Sequence, residues 1–349
     1  MRRSDAVVPR VHRGIDMTEL DRHLGIDAVL VTEAAALAAY ELMGQGDEKG
    51  ADQAAVDAMR TALNELNIDG TVVIGEGERD EAPMLFIGEN VGSGHGSKVD
   101  IALDPLEGTT ITARGGPNAL AVLALAAEGC FLNSPDVYME KIAVGGGLPD
   151  GIIDLDTPPD TVIKNLAKAL KRDPSDIVAC ILDRPRHVDL ITTVRKTGAR
   201  IQLIPDGDVA GVIATSTPET GIDIYMGIGG APEGVLAAAA LQCIGGQMQG
   251  RLVFRNDDER GRATKLGIDD FDRKYDLDDL AHGDVIFAAT GVTDGSMLQG
   301  VHKYSGGATT ETVLMHSRSG TVRWVKARHD YVRQPNNKPA KRKRRSGSG

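Results

Sequence analysis

Asp104 and Glu107 stand three residues apart in Asp100-Ile-Ala-Leu-Asp-Pro-Leu-Glu-Gly-Thr109, an apolar run that ends in two carboxylates around a proline. Pro105 fixes its own φ, and Gly108 permits a sharp bend. One small volume can then receive both acids, the Leu106 carbonyl and the Thr109 hydroxyl. Such an all-oxygen set suits hard divalent cations; the competing reading is an Asp-Pro turn with solvated acids. A second stretch, Gly75-Glu-Gly-Glu-Arg-Asp80, crowds Glu76, Glu78 and Asp80 around Arg79. Glu76 and Glu78 flank Gly77, so an extended segment would put them on one side, against the alternative of a solvated acidic loop. Asp52 either caps a helix or turns toward a metal.

Other residues have the chemistry of anion and sugar recognition. Arg184 and Arg186 straddle Pro185, which favours an extended local shape and lets both guanidiniums converge on one phosphate. The plainer alternative is a pair of surface ion-pair partners. His187 reads as a helix-start residue rather than a catalyst. Asp206-Gly207-Asp208 offers acceptors for sugar hydroxyls, or is an Asp-Gly turn. Gly227-Ile-Gly-Gly-Ala-Pro-Glu-Gly234 reads as an anion-binding turn, with Pro232 at the first helical position and a helix from Val235. Glu233 suits a helix start by the dipole alone.

Strands and helices must position these turns. The composition of 28–43 predicts a first helix, and Val56, Met59, Leu63 and Leu66 form the apolar stripe of a second from Asp52. Strands are predicted over 71–74, 101–103, 119–126, 177–182, 201–204 and 222–226. Most of them empty into one of the polar turns above, and open α/β sheets bind ligands beyond their strand ends. The alternation predicts α/β layering with a parallel or mixed sheet.

Bulk properties narrow the class. A chain of 349 residues implies two domains or one two-part globule. A net charge of −11 disfavours a nucleic-acid or anionic-membrane surface over most of the molecule. Cys130, Cys180 and Cys243 are far apart in apolar runs, as buried small hydrophobes in a reducing cytoplasm would be. We expect no membrane span and no signal peptide. The basic tail 338–349 is expected to be disordered, as a solubilising extension rather than a nucleic-acid contact.

The segments 75–84, 104–109, 184–187, 205–208 and 227–234 together resemble class II fructose-1,6-bisphosphatases of bacteria, from about Asp27 to about Ala327. The Asp-Pro-Leu-acid-Gly-Thr core alone is shared with the wider superfamily of metal-dependent sugar and inositol phosphatases. The resemblance implies an αβαβα sandwich with mixed sheets and two subdomains, organised as an extension (1–20), a metal-binding half (21–176), a sugar-phosphate-binding half (177–331) and a basic tail (332–349). It implies one ion on Asp52 and Glu76 and a second on Asp104, Glu107 and Glu233, with Mn²⁺ or Mg²⁺ as the ions. Glu107, Gly108 and Thr109 would touch the substrate, and Tyr138, Arg184, Pro185, Arg186, Asp206, Gly207, Asp208 and Gly230 would hold the sugar phosphate. Asp80 and Thr109 would lie near the attacking water. The family's Gly-Asp-Lys turn is here Gly46-Asp47-Glu48-Lys49, so the catalytic lysine is displaced by one residue. The implied activity is hydrolysis of fructose 1,6-bisphosphate in gluconeogenesis by a cytoplasmic homo-oligomer. Alternatives are sedoheptulose 1,7-bisphosphate or an inositol phosphate as substrate, or a non-catalytic phosphosugar-sensing or nucleic-acid-binding protein.

Overall fold

The computed structural model describes Leu20 and residues 23–77 and 84–332. Glu78, Arg79 and Asp80, the N-terminal extension before Leu20 and the basic tail from residue 333 lie outside the described residues. Two antiparallel helices come first, α1 (Leu24–Tyr40) and α2 (Glu48–Asn64). The strands β1 (Ile68–Ile74), β2 (Asn90–Val91) and β3 (Ser97–Glu107) follow, then a short α3 (Thr109–Arg114) and β4 (Leu120–Ala127). The middle of the chain runs β5 (Tyr138–Gly145), α4 (Pro159–Leu170), β6 (Val178–Leu182), α5 (Val188–Lys196), β7 (Arg200–Ile204) and α6 (Asp208–Ile213). It continues through β8 (Ile224–Gly230), α7 (Ala231–Ile244), β9 (Gly246–Val253), α8 (Asp257–Lys265), β10 (Lys274–Asp276) and α9 (Leu277–Leu280). The chain then adds β11 (Val285–Gly291), β12 (His302–Tyr304), β13 (Gly307–His316) and β14 (Thr321–Asp330).

Two mixed sheets result. The first has the order β12-β13-β11-β4-β3-β1-β2, with β14 on the outer edge of β13; the second has the order β10-β9-β5-β8-β6-β7. Parallel pairs are β1–β3, β6–β7 and β6–β8, and the remaining pairs are antiparallel. Three apolar clusters separate the layers. One joins α1 and α2 to the first sheet, one lies between the sheets around α6 and α7, and one joins α4 and α5 to the second sheet. The layers are therefore α, β, α, β, α. Helix α7 is apolar all round because it is covered on both sides, and ten of its fourteen residues are buried. The first sheet takes strands from both ends of the chain, and residue 177 lies just before β6, between two strands of the second sheet.

Several local expectations change. Asp47, not Asp52, caps α2, with its side chain accepting from the Gly50 N–H at 2.9 Å; Asp52 lies one turn further in. Gly227–Gly230 is the end of β8 rather than a turn, since its backbone pairs with Tyr138–Lys141 of β5. Helix α7 accordingly starts at Ala231, with Pro232 second. Pro185-Arg186-His187 is a single 3-10 turn, and only Arg184 is extended, as a residue before proline prefers. Cys130, Cys180 and Cys243 are free and buried. Among the described residues no helix is long and apolar enough to cross a membrane.

Candidate active site

The site begins at an irregularity in β3. Its antiparallel register with β4 pairs Asp104 with Val122 and Glu107 with Leu120, so three steps along β3 match two along β4. In a regular strand, residues three apart face opposite sides. The extra residue brings Glu107 back to the side of Asp104. Pro105 falls within this bulge, where no ladder donor is required. The Leu106 N–H donates to Asp104 Oδ1 at 3.0 Å. Gly108 then adopts φ +94°, a left-handed conformation that favours glycine, and starts α3 at Thr109. The Gly44 and Gly46 N–H groups donate to the Thr112 and Ala113 carbonyls at 2.9 Å each, tying the loop before α2 to α3.

A third acid arrives from α7, the helix that follows β8 of the other sheet. Carboxylate oxygens of Asp104, Glu107 and Glu233 lie within 4.8 Å of one another. Glu233 belongs to the first turn of α7 and folds back over the end of β8. A Cβ on Gly230 would lie 1.9 Å from Glu233 Oε2, so glycine alone admits this close approach. Glu107 Oε1 accepts from the Val209 N–H of α6 at 3.2 Å, a further link between the layers.

Electrostatics extends the cluster to Asp52 and Glu76. Burial, and then the charges of Asp104, Asp52 and Glu233, hold the Glu76 carboxyl well above its usual range. Burial and the charges of Asp104 and Asp208 do the same to Glu107. Asp104 is pushed up to about 6, principally by burial, and Glu233 to about 8 by burial and then Asp208. Asp52 is raised by burial alone. Burial is the main cause of each shift, and the carboxylates of α2, β3, α7 and the turn after β1 add to it by facing one another. An all-oxygen cluster short of countercharge is what a hard divalent cation fits.

A cavity of about 340 Å³ opens from Glu233 and Gly230 past Asp206 and Asp208 to Tyr138, Arg184, Arg186 and Arg255. Its lining mixes the carboxylates of Asp136, Asp206, Asp208 and Glu233 with three guanidiniums. Arg184 Nη2 lies 3.5 Å from Asp206 Oδ1, and Arg186 donates from Nε and Nη2 to the Ile228 carbonyl at 3.0 and 2.7 Å. His187 is buried at the start of α5; its Nδ1 lies 2.8 Å from the Leu182 carbonyl, and Nε2 accepts from the Ile228 N–H at 2.8 Å. Burial and the nearby Arg186 and Arg184 charges keep its pKa low, so the neutral ring serves as a bracket between β6 and β8. Asp208 is buried, and its Oδ2 pairs with Lys141 at 2.5 Å and accepts from Tyr225 Oη at 3.2 Å. Gly207, with φ +83°, starts α6 as Gly108 starts α3. Lys49 is exposed in the first turn of α2, where Glu48 rather than Lys49 acts electrostatically on Asp206.

Two residues here escape a reading of sequence motifs. Lys141 is the only buried lysine or arginine among the described residues, and its ammonium also donates to the Gly230 carbonyl at 2.7 Å. Its signal is strand phase: it shares the inward positions of β5 with Met139 and Ala143. Arg255 follows β9 in a stretch with no motif at all.

Over residues 22–329 the chain matches the family described as bacterial fructose-1,6-bisphosphatase, glpX-encoded. It is 48% identical over 322 residues to fructose-1,6-bisphosphatase 1 class 2 of Escherichia coli (strain K12), covering 88% of this chain and 95% of that relative. The class 2 fructose-1,6-bisphosphatase of Shigella flexneri gives the same figures. Among solved structures, an extragenic suppressor from Pyrococcus furiosus aligns at 14% identity and a TM-score of 0.29, over 56% of this chain and 71% of that one, and carries no weight for the fold. The match covers both sheets and every acid of the described cluster, and this chain belongs to the glpX-encoded bacterial fructose-1,6-bisphosphatase family.

Proposed function

We infer that this chain hydrolyses fructose 1,6-bisphosphate to fructose 6-phosphate and inorganic phosphate. One observation carries the reading in a chain of this family: Asp104 and Glu107 of β3 meet Glu233 of α7, and Glu233 lines a cavity that Arg184, Arg186 and Arg255 also line. We assign Asp52 and Glu76 to one divalent ion, and Asp104, Glu107 and Glu233 to a second, with Mn²⁺ or Mg²⁺ as the ions. When bound, such ions neutralise charge on the phosphate and make a nearby water more acidic.

The chain's own groups do the rest. Glu107, Gly108 and Thr109 face the 1-phosphate at the start of α3, where the Thr109 hydroxyl orients the attacking water. Asp80 is assigned to take that water's proton, and Lys49 to reach the departing phosphate. Water oxygen joins phosphorus, the P–O bond to the C1 oxygen breaks, and that oxygen leaves with the electron pair and gains a proton. Arg184, Pro185 and Arg186 with Tyr138 hold the far phosphate, while Asp206, Gly207, Asp208 and Gly230 border the sugar. Asp208 acts there through its pair with Lys141, shaping the wall beside Gly230. Holding both ends of the substrate can contribute several kcal/mol to lowering the barrier. A cytoplasmic homo-oligomer is the assigned setting.

Phosphate release from fructose 1,6-bisphosphate, sedoheptulose 1,7-bisphosphate and an inositol monophosphate, with Mn²⁺, Mg²⁺ or EDTA, tests the assignment. Metal-dependent release, fastest from the fructose bisphosphate, is expected. Preference for another ester would reassign the substrate, and undiminished release in EDTA would remove the ions from the scheme.

A further inference from the structure

The cavity's lining contains a guanidinium that no motif announces. Arg255 is anchored on Glu259, whose side chain is only 3% exposed: the Arg255 backbone N–H and Nε each donate to that carboxylate at 2.6 Å, and Nη2 lies 2.5 Å from Oε1. Cζ of Arg255 lies 5.1 Å from the centroid of the Tyr138 ring, and Cζ of Arg186 lies 4.9 Å from the same centroid. Arg186 is fixed in turn by its two bonds to the Ile228 carbonyl. Two cations are thus held against one aromatic ring by separate anchors on β8 and α8. Among the described residues, neither arginine's Nη1 meets a protein acceptor. Glu259 and Asp136 offset part of the charge at Arg255, and Arg186 has no acidic partner among the described residues. Both arginines line the same cavity as Glu233.

Paired guanidinium forks fixed in advance are suited to a phosphate dianion, whose arrival also relieves their mutual repulsion. We propose that Arg255, together with Arg186, binds the phosphate ester remote from the acid cluster, and that this second arginine makes the enzyme prefer sugar bisphosphates to sugar monophosphates. Glu259 is its positioning residue. The proposal rests on the phosphatase reading above.

The test compares kcat/KM for fructose 1,6-bisphosphate and fructose 1-phosphate in the full chain with Mn²⁺, for wild type, Arg255→Met and Arg255→Lys. The ratio of the two constants cancels the fraction of enzyme that is folded. In Arg255→Met the bisphosphate-to-monophosphate ratio is expected to fall tenfold or more, mainly through KM for the bisphosphate. Arg255→Lys should lose less, since it keeps the charge but not the fork. A ratio left at the wild-type value, whether both constants fall together or neither moves, overturns the assignment of Arg255. A wild-type enzyme inactive on both esters would instead overturn the phosphatase reading, and the assignment with it.

Discussion

Glu76, Glu107 and Glu233 each adjoin a glycine and Asp104 adjoins Pro105, and folding brings their charges together. Asp104→Asn is expected to lower kcat by roughly 10³-fold or more while circular dichroism stays that of the wild type, because it removes an anionic ligand without changing shape. Near-normal turnover would contradict the role given to Asp104. At Thr109, a serine should retain activity and the isosteric valine should lose it, since the hydroxyl is the working group. Lys141 was not legible, because its meaning depends on the phase of β5 and on a partner 67 positions away. Removing one member of a buried ion pair costs about 3–5 kcal/mol. Lys141→Met should therefore lower the urea midpoint markedly, and adding Asp208→Asn should recover part of the loss.

Elements add what residue types cannot express. The acids of β3 face one way only because a bulge inserts one residue opposite Val122 and Leu120, and that register is set by β4. The strand itself reaches from Ser97 to Glu107, far beyond the apolar 101–103 visible in sequence, because pairing with β1 and β4 extends it through polar residues. For the same reason Gly227–Gly230 is strand: its partner β5 decides. Gly230 has φ −67° and ψ +145°, which alanine adopts readily, so Gly230→Ala acts through its Cβ on the Glu233 carboxylate. We expect an activity loss of about 10²-fold from this displacement, with a thermal midpoint close to wild type. A large fall in the midpoint with activity per folded molecule intact would show that Gly230 serves the backbone instead.

On the scale of the whole molecule, layering was legible and the partition of strands was not. Alternating strand and helix signals implied α/β layers, but nothing local says that β11 to β14 return to join β1 to β4. The layers meet at the acids, which makes the cluster a stability element as well as a site. Asp104 and Glu233 are raised to about 6 and about 8, principally by burial, from ordinary values near 4. Between about pH 4 and pH 8 the folded, metal-free protein therefore keeps protons that the unfolded chain has released, and its stability falls as pH rises. A divalent ion that replaces those protons should raise the thermal midpoint more at pH 8 than at pH 5; equal or opposite shifts would contradict this coupling.

The most direct test is an anomalous difference map from crystals grown with Mn²⁺. The account predicts peaks bounded by Asp52, Glu76, Asp104, Glu107 and Glu233, facing the arginine-lined cavity. A map with no peak among these carboxylates, from protein that releases phosphate under the same conditions, would contradict it.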